Sequence, residues 1–287
     1  MHNFTVVGIG EMLWDIFPER KIPGGAPANF AYHASQFGFK SYVVSAVGKD
    51  LLGKEILKIF AEKELWLLVE TVDWPTGTVK VELNDKGIPQ YEICENVAWD
   101  NIPFTERTKE LAMNCSAVCF GTLAQRNEAS RKTIRSFLEL VPQNALKIFD
   151  INLRQHFYSK KTIYESLLSS NILKINEEEV AEVARLFELE KKSEQEICLH
   201  LLKEYNLNIV IETKGSEGSY VFTKSEISYL DTPKVNAIDT VGAGDSFAGA
   251  FAGALLQGKS IQEAHKLAVE VSSYICTQRG AMHKFLL

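Results

Sequence analysis

The stretch Asp239-Thr240-Val241-Gly242-Ala243-Gly244-Asp245 contains the residue types that phosphoryl transfer needs. Gly242 and Gly244 open the backbone where a helix of small residues is predicted to begin. A helix N-terminus presents free N–H groups and the positive end of a dipole to an anion. Asp245 follows directly, and a carboxylate beside a phosphate site can accept the proton of an attacking hydroxyl. The stretch therefore predicts a kinase that phosphorylates an alcohol. It is not a Walker A loop, since no Gly-Lys-Ser/Thr follows the glycines.

A second pair of glycines lies near the N-terminus, in Pro23-Gly24-Gly25-Ala26-Pro27-Ala28-Asn29. Two interpretations fit its spacing equally. The glycines and Pro27 can simply start a helix, since proline is favoured at the first helical position. Alternatively, the glycines let a ligand approach the backbone while Asn29 offers it a donor and an acceptor.

The first predicted strand ends in Gly8-Ile9-Gly10, which invites comparison with a dinucleotide-binding motif. That motif needs a small residue where Leu13 stands and then a helix, whereas this chain stays extended up to Pro18. Asp15 lies within this apolar run, where a carboxylate is costly unless it meets a partner or a polar ligand. We therefore expect Asp15 to have such a partner.

Beyond about residue 103, helical and strand patterns alternate regularly. Such alternation predicts a mostly parallel sheet with helices on both faces, and ligands in such sheets bind beyond the carboxyl ends of the strands. The polar stretches that follow predicted strands are 121–126, 150–154, 176–179 and 213–218. Each also has a purely structural interpretation; Asn176 and Glu179, for example, have the spacing of a capping box. Their shared position at one edge of the sheet favours a common cleft.

Between about residues 65 and 99 the pattern changes to short extended segments at 69–72, 78–83 and 90–94, with Asn84-Asp85-Lys86-Gly87 as a predicted hairpin turn. No helical pattern separates them, so we expect a small sheet apart from the main one. The predicted organisation is a single domain, residues 1–287, with a β-lid formed by about 11–24 and 65–102.

The composition disfavours several classes of function. The 287 residues are 46% hydrophobic and 24% charged, as in globular proteins with a sizeable core. The net charge of -6 argues against binding to nucleic acid or an anionic membrane. No apolar run reaches the roughly 20 residues that span a bilayer, and the N-terminus lacks a signal-type pattern. The five cysteines form no CxxC pair, so we expect reduced thiols and a cytoplasmic location.

Together, the two glycine motifs resemble the signatures of the ribokinase-like carbohydrate kinases, also called the PfkB family. Gly24-Gly25-x-x-x-Asn29 resembles the N-terminal signature, and Asp239-Thr240-x-Gly242-Ala243-Gly244-Asp245 resembles the C-terminal one. The resemblance covers essentially the whole chain, and residues 8–15, 24–31 and 150–154 look most like bacterial fructokinases. It implies an α/β fold, a Rossmann-like three-layer sandwich with a mostly parallel central sheet and a small β-sheet lid.

The resemblance also implies a role for each matching position. Asp245 would be the base on the sugar hydroxyl, and the amides of Gly242, Ala243 and Gly244 would form an anion hole. The positions that would contact the sugar or the transferred group are Asp15, Gly24, Gly25, Asn29, Gln125 and Arg154.

At the nucleotide end, the positions that match the family's ATP-binding motifs are Asn176, Lys214, Gly215 and Gly218. Glu179 would help to organise Mg²⁺, largely through water, and Asp239 and Thr240 fall where many members bind a monovalent cation such as K⁺. The implied cofactors are thus ATP, Mg²⁺ and K⁺, and the implied partners are a small sugar and a second copy of the chain, paired through the lid.

The implied reaction is transfer of the γ-phosphoryl group of ATP to a ketose, D-fructose to fructose 6-phosphate. Within the family, the alternatives are a 2-keto-3-deoxygluconate kinase, a ribokinase and a nucleoside kinase, for which Trp99 or Phe30 could provide an aromatic slot. A sugar-binding regulator without catalysis is a different-class alternative, and the intact Asp245 counts against it.

Overall fold

The computed structural model describes residues 4–83 and 89–285, which alternate between strands and helices. The strands are β1 (Thr5–Ile9), β2 (Leu13–Ile16), β3 (Lys21–Gly24), β4 (Lys40–Gly48), β5 (Trp66–Val72), β6 (Gly77–Leu83), β7 (Pro89–Ile93), β8 (Ala117–Phe120), β9 (Leu146–Asp150), β10 (Ile172–Asn176), β11 (Ile209–Thr213), β12 (Ser219–Thr223) and β13 (Ile227–Leu230). The helices are α1 (Ala26–Ser35), α2 (Leu51–Glu62), α3 (Glu106–Met113), α4 (Glu128–Leu140), α5 (Lys160–Leu168), α6 (Glu177–Phe187), α7 (Glu194–Glu204), α8 (Ala243–Leu256) and α9 (Ile261–Cys276). None of the helices in these ranges is long and apolar enough to cross a membrane.

The large sheet contains nine of the described strands, in the order β13-β12-β11-β10-β9-β8-β1-β4-β5. Neighbours from β11 to β5 are parallel, and β12 and β13 join one edge in antiparallel pairs. Helices α3 to α7 pack on one face, while α1, α2, α8 and α9 pack on the other. Both faces are therefore buried, as parallel sheets require. The predicted three-layer α/β sandwich is confirmed.

A separate small sheet has the order β3-β2-β6-β7. Strand β2 pairs with β3 in antiparallel fashion and with β6 in parallel, and β6 pairs with β7 antiparallel. The small sheet predicted from the short extended segments is thus present. The hairpin turn predicted at 84–87 lies outside the described residues.

The range predicted for the lid is wrong at one point, because β5 belongs to the large sheet. It pairs in parallel with β4, from Tyr42 opposite Trp66 to Gly48 opposite Val72. Helix α2 precedes it, so β4, α2 and β5 form an ordinary β-α-β unit that extends the main sheet. The small sheet begins only with Gly77 in this part of the chain.

Helices α1 and α8 pack closely because α8 has glycine where α1 crosses it. A Cβ atom at Gly249 would lie 2.9 Å from the Phe30 carbonyl oxygen, and one at Gly253 would lie 2.4 Å from the ring of Phe37. Contacts that short are not tolerated, so only glycine allows this approach. The small residues of α8 therefore serve helix packing, and the N-termini of the two helices lie side by side.

Glu212, on β11, is a carboxyl group buried in the large sheet. It is fully buried, and neither of its side-chain oxygens has a hydrogen-bond partner among the described residues. Burial raises its pKa from 4.5 to about 7; the nearby Glu194 adds to the shift and Lys214 opposes it. Ionisation of this group therefore opposes folding.

We expect Glu212→Gln to stabilise the protein at high pH. The folded-state pKa of Glu212 lies above the unfolded value, so its contribution to stability is lost as the pH rises from 4.5 through about 7. At about pH 8 the variant should have a free energy of unfolding about 1–3 kcal/mol higher than the parent, and at about pH 5 the gain should shrink. Urea unfolding measures both, with the exposed Glu190→Gln as an unaffected control. A gain that is the same at both pH values would contradict the assignment.

Candidate active site

A cleft of about 910 Å³ lies at the carboxyl edge of the large sheet. The small sheet forms one wall with residues such as Asp15, Gly24 and Val79. The opposite side is formed by the ends of β9 and β10 and by the first turn of α8. The polar residues that follow the parallel strands thus meet the small sheet across one cavity, where the topology predicts a ligand.

Helix α8 begins with a turn that only glycine can form. Gly242 is the residue before the helix and has φ of 78°, and a Cβ atom there would lie 2.3 Å from Ala281 Cβ. The Ala243 N–H donates to the Thr240 carbonyl at 3.2 Å. The N–H groups of Gly242 and Gly244 have no such bond recorded within the described ranges, and first-turn amides have no intrahelical acceptor. Of the three amides predicted to form the anion hole, the N–H of Ala243 is therefore already bonded, and the N–H groups of Gly242 and Gly244 are open to a ligand.

Asp245 lies in the first turn of α8 and faces the cleft. Asn29 Nδ2 donates to Asp245 Oδ2 at 2.8 Å, which links the two predicted motifs across 216 residues. Burial raises the pKa of Asp245 to about 6, and the charge of Asp150 adds to the shift. The bond from Asn29 and the charges of Lys174 and Arg154 oppose it. The result is a carboxylate that is more basic than usual but still mostly ionised at neutral pH.

The predicted sugar-binding positions near the N-terminus come together in the cleft, from β2, β3 and the start of α1. Asp15, Gly24, Gly25 and Asn29 all line the cleft. Asp15 is half-buried, and burial raises its pKa to about 6. Its Oδ2 lies 3.2 Å from the position of a Cβ atom at Gly24, so a larger residue there would crowd the carboxyl group.

Glu11 is a cleft residue that the sequence analysis missed. It is 2% exposed and lines the cleft, and its Oε2 has no hydrogen-bond partner among the described residues. Burial raises its pKa to about 7, and Asp245 adds to the shift while Arg154 opposes it. The sequence feature that could have pointed to Glu11 is the one that pointed to Asp15, a carboxylate in the apolar run that follows the first strand.

Lys174 and Asp150 form a buried ion pair that the sequence analysis also missed. Lys174 Nζ lies 3.0 and 3.1 Å from the two Asp150 oxygens, and both side chains are less than 10% exposed. The same Nζ lies 2.9 Å from the position of a Cβ atom at Gly244, directly below the first turn of α8. Burial disfavours the charged lysine, but Asp150, Glu179 and Asp245 outweigh it and raise the pKa of Lys174. The sequence feature that could have pointed to Lys174 is its position as a single lysine among the apolar residues of β10.

Asn176 and Glu179 form the capping box that their spacing predicted. Asn176 Oδ1 accepts from Glu179 N at 2.9 Å, and Glu179 Oε2 accepts from Asn176 N at 3.0 Å. Glu179 Oε1 also accepts from Leu153 N at 2.9 Å, which ties the loop after β9 to helix α6. Both residues line the cleft. One backbone N–H group bonds to each oxygen of Glu179, which fixes the orientation of the carboxylate at the edge of the cleft.

Of the other predicted positions, Arg154, Gly215 and Thr240 line the cleft. Gln125 does not, since it is 2% exposed and its Nε2 donates to Gly121 O and Ser166 Oγ, both at 2.9 Å. Its position after a strand was predicted correctly, but its amide points into the protein.

Three further predicted residues lie beside the cleft rather than on its wall. Lys214 forms an ion pair with Glu194 at 2.6 Å, and Gly218 lies against the carbonyl of Leu230. Asp239 accepts from the N–H groups of Val241 and Gly280, both at 3.0 Å. Within the described ranges, no group of three or more acidic, histidine or cysteine side chains is arranged to hold a metal ion.

The chain matches the model of the pfkB family of carbohydrate kinases over residues 17–286. A putative sugar kinase of Pyrococcus horikoshii is 26% identical, over 96% of this chain and 91% of that protein. An ATP-dependent 6-phosphofructokinase of Thermoanaerobacterium thermosaccharolyticum is 28% identical, over 98% and 90%. A fructokinase of Escherichia coli is also 28% identical, over 96% and 94%.

Solved structures share the fold. A putative ribokinase II of E. coli, in complex with ATP and Mg²⁺, superposes with a TM-score of 0.82 at 19% identity, over 98% of this chain and 95% of that one. A fructokinase of Vibrio cholerae, bound to fructose, ADP and calcium, superposes with a TM-score of 0.80 at 22% identity, over 98% and 94%. These similarities show the α/β fold with its small additional sheet.

We expect Lys174→Met to destabilise the protein by about 3–5 kcal/mol, because it leaves the charge of Asp150 buried without a partner. The double variant Lys174→Met with Asp150→Asn should recover part of this loss, since the remaining amide is neutral. Urea unfolding measures both. The matched control is Lys49→Met, whose partner Asp73 is 85% exposed, and its cost should stay below about 1 kcal/mol. Equal losses in Lys174→Met and Lys49→Met would contradict the role of the buried pair.

Proposed function

The chain belongs to the pfkB family of carbohydrate kinases, and from this premise we propose that it phosphorylates D-fructose with ATP to give fructose 6-phosphate. The observation that carries the proposal is the arrangement around Asp245. Asn29 orients this carboxylate inside a cleft, and the open amides of Gly242 and Gly244 lie beside it. A base next to an anion site is what transfer to a hydroxyl requires.

In the proposed reaction, Asp245 accepts the proton of the fructose 6-hydroxyl as its oxygen bonds to the γ-phosphorus of ATP. The bond between that phosphorus and the β-phosphate oxygen breaks, and ADP leaves with its electron pair. A strong base is not needed, since the hydroxyl loses its proton only as the new bond forms. The raised pKa of Asp245 makes the carboxylate a better acceptor at neutral pH.

Charge that develops on the transferred group is stabilised by the N–H groups of Gly242 and Gly244, with Lys174 directly below them. Arg154 lines the cleft with an exposed side chain, and its proposed role is to contact the same group. Mg²⁺ bound with ATP would neutralise phosphate charge. The carboxylates of Asp150 and Glu177, which line the cleft, are the oxygen ligands that this ion prefers.

The remaining nucleotide and cation assignments are part of the same proposal. Asn176 and Gly215 lie on the cleft wall where ATP would extend from the transfer site, and Lys214 and Gly218 shape the loop around Gly215. Asp239 and Thr240 are the proposed positions for a monovalent cation such as K⁺, next to the anion hole.

The charge of the acceptor end favours a neutral sugar. Glu11, Asp15 and Asp245 line that end of the cleft, and Asp15 and Asp245, with pKa values of about 6, are mostly ionised at neutral pH and would repel the phosphate of a sugar phosphate or the carboxylate of a sugar acid. Lys174 is held by Asp150 below the first turn of α8, beside Gly244, which leaves Arg154 as the cation that could hold an anionic sugar. Fructose is therefore preferred over 2-keto-3-deoxygluconate, whose carboxylate would rely on Arg154 for its favourable charge contact.

The nucleoside kinase alternative loses its support. Trp99 and Phe30, the candidates for an aromatic slot, are each 1% exposed and lie in the core. Among the described residues that line the cleft, none is aromatic. The base of a nucleoside acceptor would therefore find no aromatic side chain to stack on beside Asp245. Ribose remains an alternative acceptor, since it is also neutral.

The small sheet is proposed to act as the lid. Ile22, Val79 and Ile93 present apolar side chains to the cleft, where closure over the sugar would exclude water and limit hydrolysis of ATP. Pairing of two chains through this sheet stays a prediction, and sedimentation of the purified protein would test it.

We expect D-fructose to be the preferred acceptor in an assay coupled to ADP release. Its kcat/KM should exceed that of D-ribose, 2-keto-3-deoxygluconate, fructose 6-phosphate and adenosine by about tenfold or more, because misplaced or charged acceptors lose transition-state contacts. Higher turnover of a sugar acid would show that Arg154 dominates recognition. Absence of fructose turnover above the other sugars would overturn the substrate assignment.

We expect Asp245→Asn to lower kcat by about 100-fold or more, while the affinity for fructose stays within a few-fold, because only the proton acceptor is lost. Initial rates and calorimetric titration with the sugar measure the two effects. Asp73→Asn, a change to an exposed carboxylate, is the neutral control. Near-normal kcat in Asp245→Asn would refute its role as base.

A further inference from the structure

The C-terminal segment, residues 280–285, lies directly against the turn that opens the anion hole. Ala281 lines the cleft and is 8% exposed. Its Cβ lies 2.3 Å from where a side chain at Gly242 would begin, so it fills the space that the glycine leaves. The N–H of Gly280 donates to Asp239 Oδ2 at 3.0 Å, just upstream of the same turn. The position of this segment therefore limits where the turn can lie.

His33 holds this segment from the inside. It is fully buried, and its Nε2 lies 2.8 Å from the Ala281 carbonyl oxygen. A carbonyl can only accept, so Nε2 carries the hydrogen and donates it. Burial lowers the pKa of His33 to about 4, so the ring is neutral and its Nδ1 is unprotonated. Nδ1 is buried without a partner in the described part of the chain, which makes the bond to Ala281 the one polar contact that fixes the ring.

Helix α1 contacts both Asp245 and the segment that packs on Gly242. Asn29 and His33 are four residues apart on α1, so they lie on one face, one turn apart. Asn29 binds Asp245, and His33 binds Ala281, which packs on Gly242. The bulky Phe285 ring stacks on His33 with 6.0 Å between centroids and holds the far end of the segment.

We propose that His33 is a positioning residue for phosphoryl transfer: through its bond to Ala281 it fixes the turn that aims the Gly242 and Gly244 amides at the transferred group. This inference rests on the proposed function, because it needs those amides to stabilise charge in the transition state. A displacement of the turn would weaken a contact made mainly in the transition state, so it should lower kcat rather than affinity.

The chain offers a matched control in His265. It too is fully buried with a pKa lowered to about 4, and its ring nitrogens lie 2.8 and 2.9 Å from Ser219 Oγ and Ser228 Oγ. It joins α9 to the edge of the large sheet and does not line the cleft. If replacement of His33 lowers kcat only because packing in the core is disturbed, replacement of His265 should lower kcat by as much.

The test compares His33→Leu, His33→Gln and His265→Leu. Both leucine variants should lower the melting temperature, but only His33→Leu should lower kcat for fructose and ATP, by about 10- to 100-fold, with both KM values within about threefold. His33→Gln keeps an N–H donor and should recover most of kcat. A kcat loss in His265→Leu as large as in His33→Leu, or none in His33→Leu, would overturn the proposal.

Hydrogen–deuterium exchange gives a readout that does not depend on turnover. Peptides that cover residues 240–246 should exchange faster in His33→Leu than in the parent, and should be unchanged in His265→Leu. If His33→Leu does not fold, Ala281→Gly must show the same faster exchange, since it removes only the methyl group that packs on Gly242. Unchanged exchange would overturn the proposal.

Asp245→Asn separates this inference from the proposed function. If Asp245→Asn is inactive while His33→Leu behaves like His265→Leu, only the role of His33 fails. If Asp245→Asn retains near-normal activity, the proposed function fails, and the exchange data alone decide whether His33 fixes the turn.

Discussion

The hydrogen bond between Asn29 and Asp245 is the contact on which the geometry of the cleft depends. It joins the N-termini of two helices whose first residues lie more than two hundred positions apart in the chain. It can form because Gly249 lets the backbones of α1 and α8 approach closely, while Gly253 leaves room for the ring of Phe37 just beyond α1. The amide donor then fixes the orientation of the carboxylate at the start of α8. Packing in the core and chemistry in the cleft are therefore set by the same helix pair, and a larger residue at either glycine would disturb both.

The electrostatic properties of the cleft are set by the burial of several carboxyl groups in it. Glu11, Asp15 and Asp245 all have raised pKa values, with burial as the main cause. Lys174 offsets part of this cost, because it stays charged below the first turn of α8 and pairs with Asp150. Burial, with the charge of Asp150, makes Asp245 a more basic group than an isolated carboxylate. In the proposed function, the carboxylates at the acceptor end would also disfavour an anionic sugar, so acidity there would bear on both rate and specificity.

Much of the fold could be predicted from the sequence, because helix and strand periodicities are local. The regular alternation of helices and strands predicted beyond about residue 103 is present in the structure, from α3 onward. The sheet to which a strand belongs was harder to predict. β5 has the same short extended pattern as β6, but it joins the large sheet because α2 brings it alongside β4, and its own residues do not reveal this. For the site, position after a strand located Gln125 but could not give the direction of its side chain. Lys174 was overlooked because a single lysine in an apolar strand gives no sign of its buried partner.

The two halves of the cleft differ in how much a sequence can reveal about them. In the proposed function, the half of the cleft that transfers the phosphoryl group is concentrated in residues 239–245, where a turn, two amides and the proposed base follow one another, so the chemistry is visible as a continuous motif. The sugar half is assembled from β2, β3, β6 and β7 and from Glu11, and these meet only when the small sheet has formed. Apart from the Gly24-Gly25 turn and Asp15, its residues carry no pattern in the sequence that marks them as a site. Recognition of the sugar therefore depends on tertiary placement. Two relatives at the same 28% identity, a fructokinase and a 6-phosphofructokinase, bear names that differ in the sugar acceptor, as expected where the acceptor is set by tertiary placement.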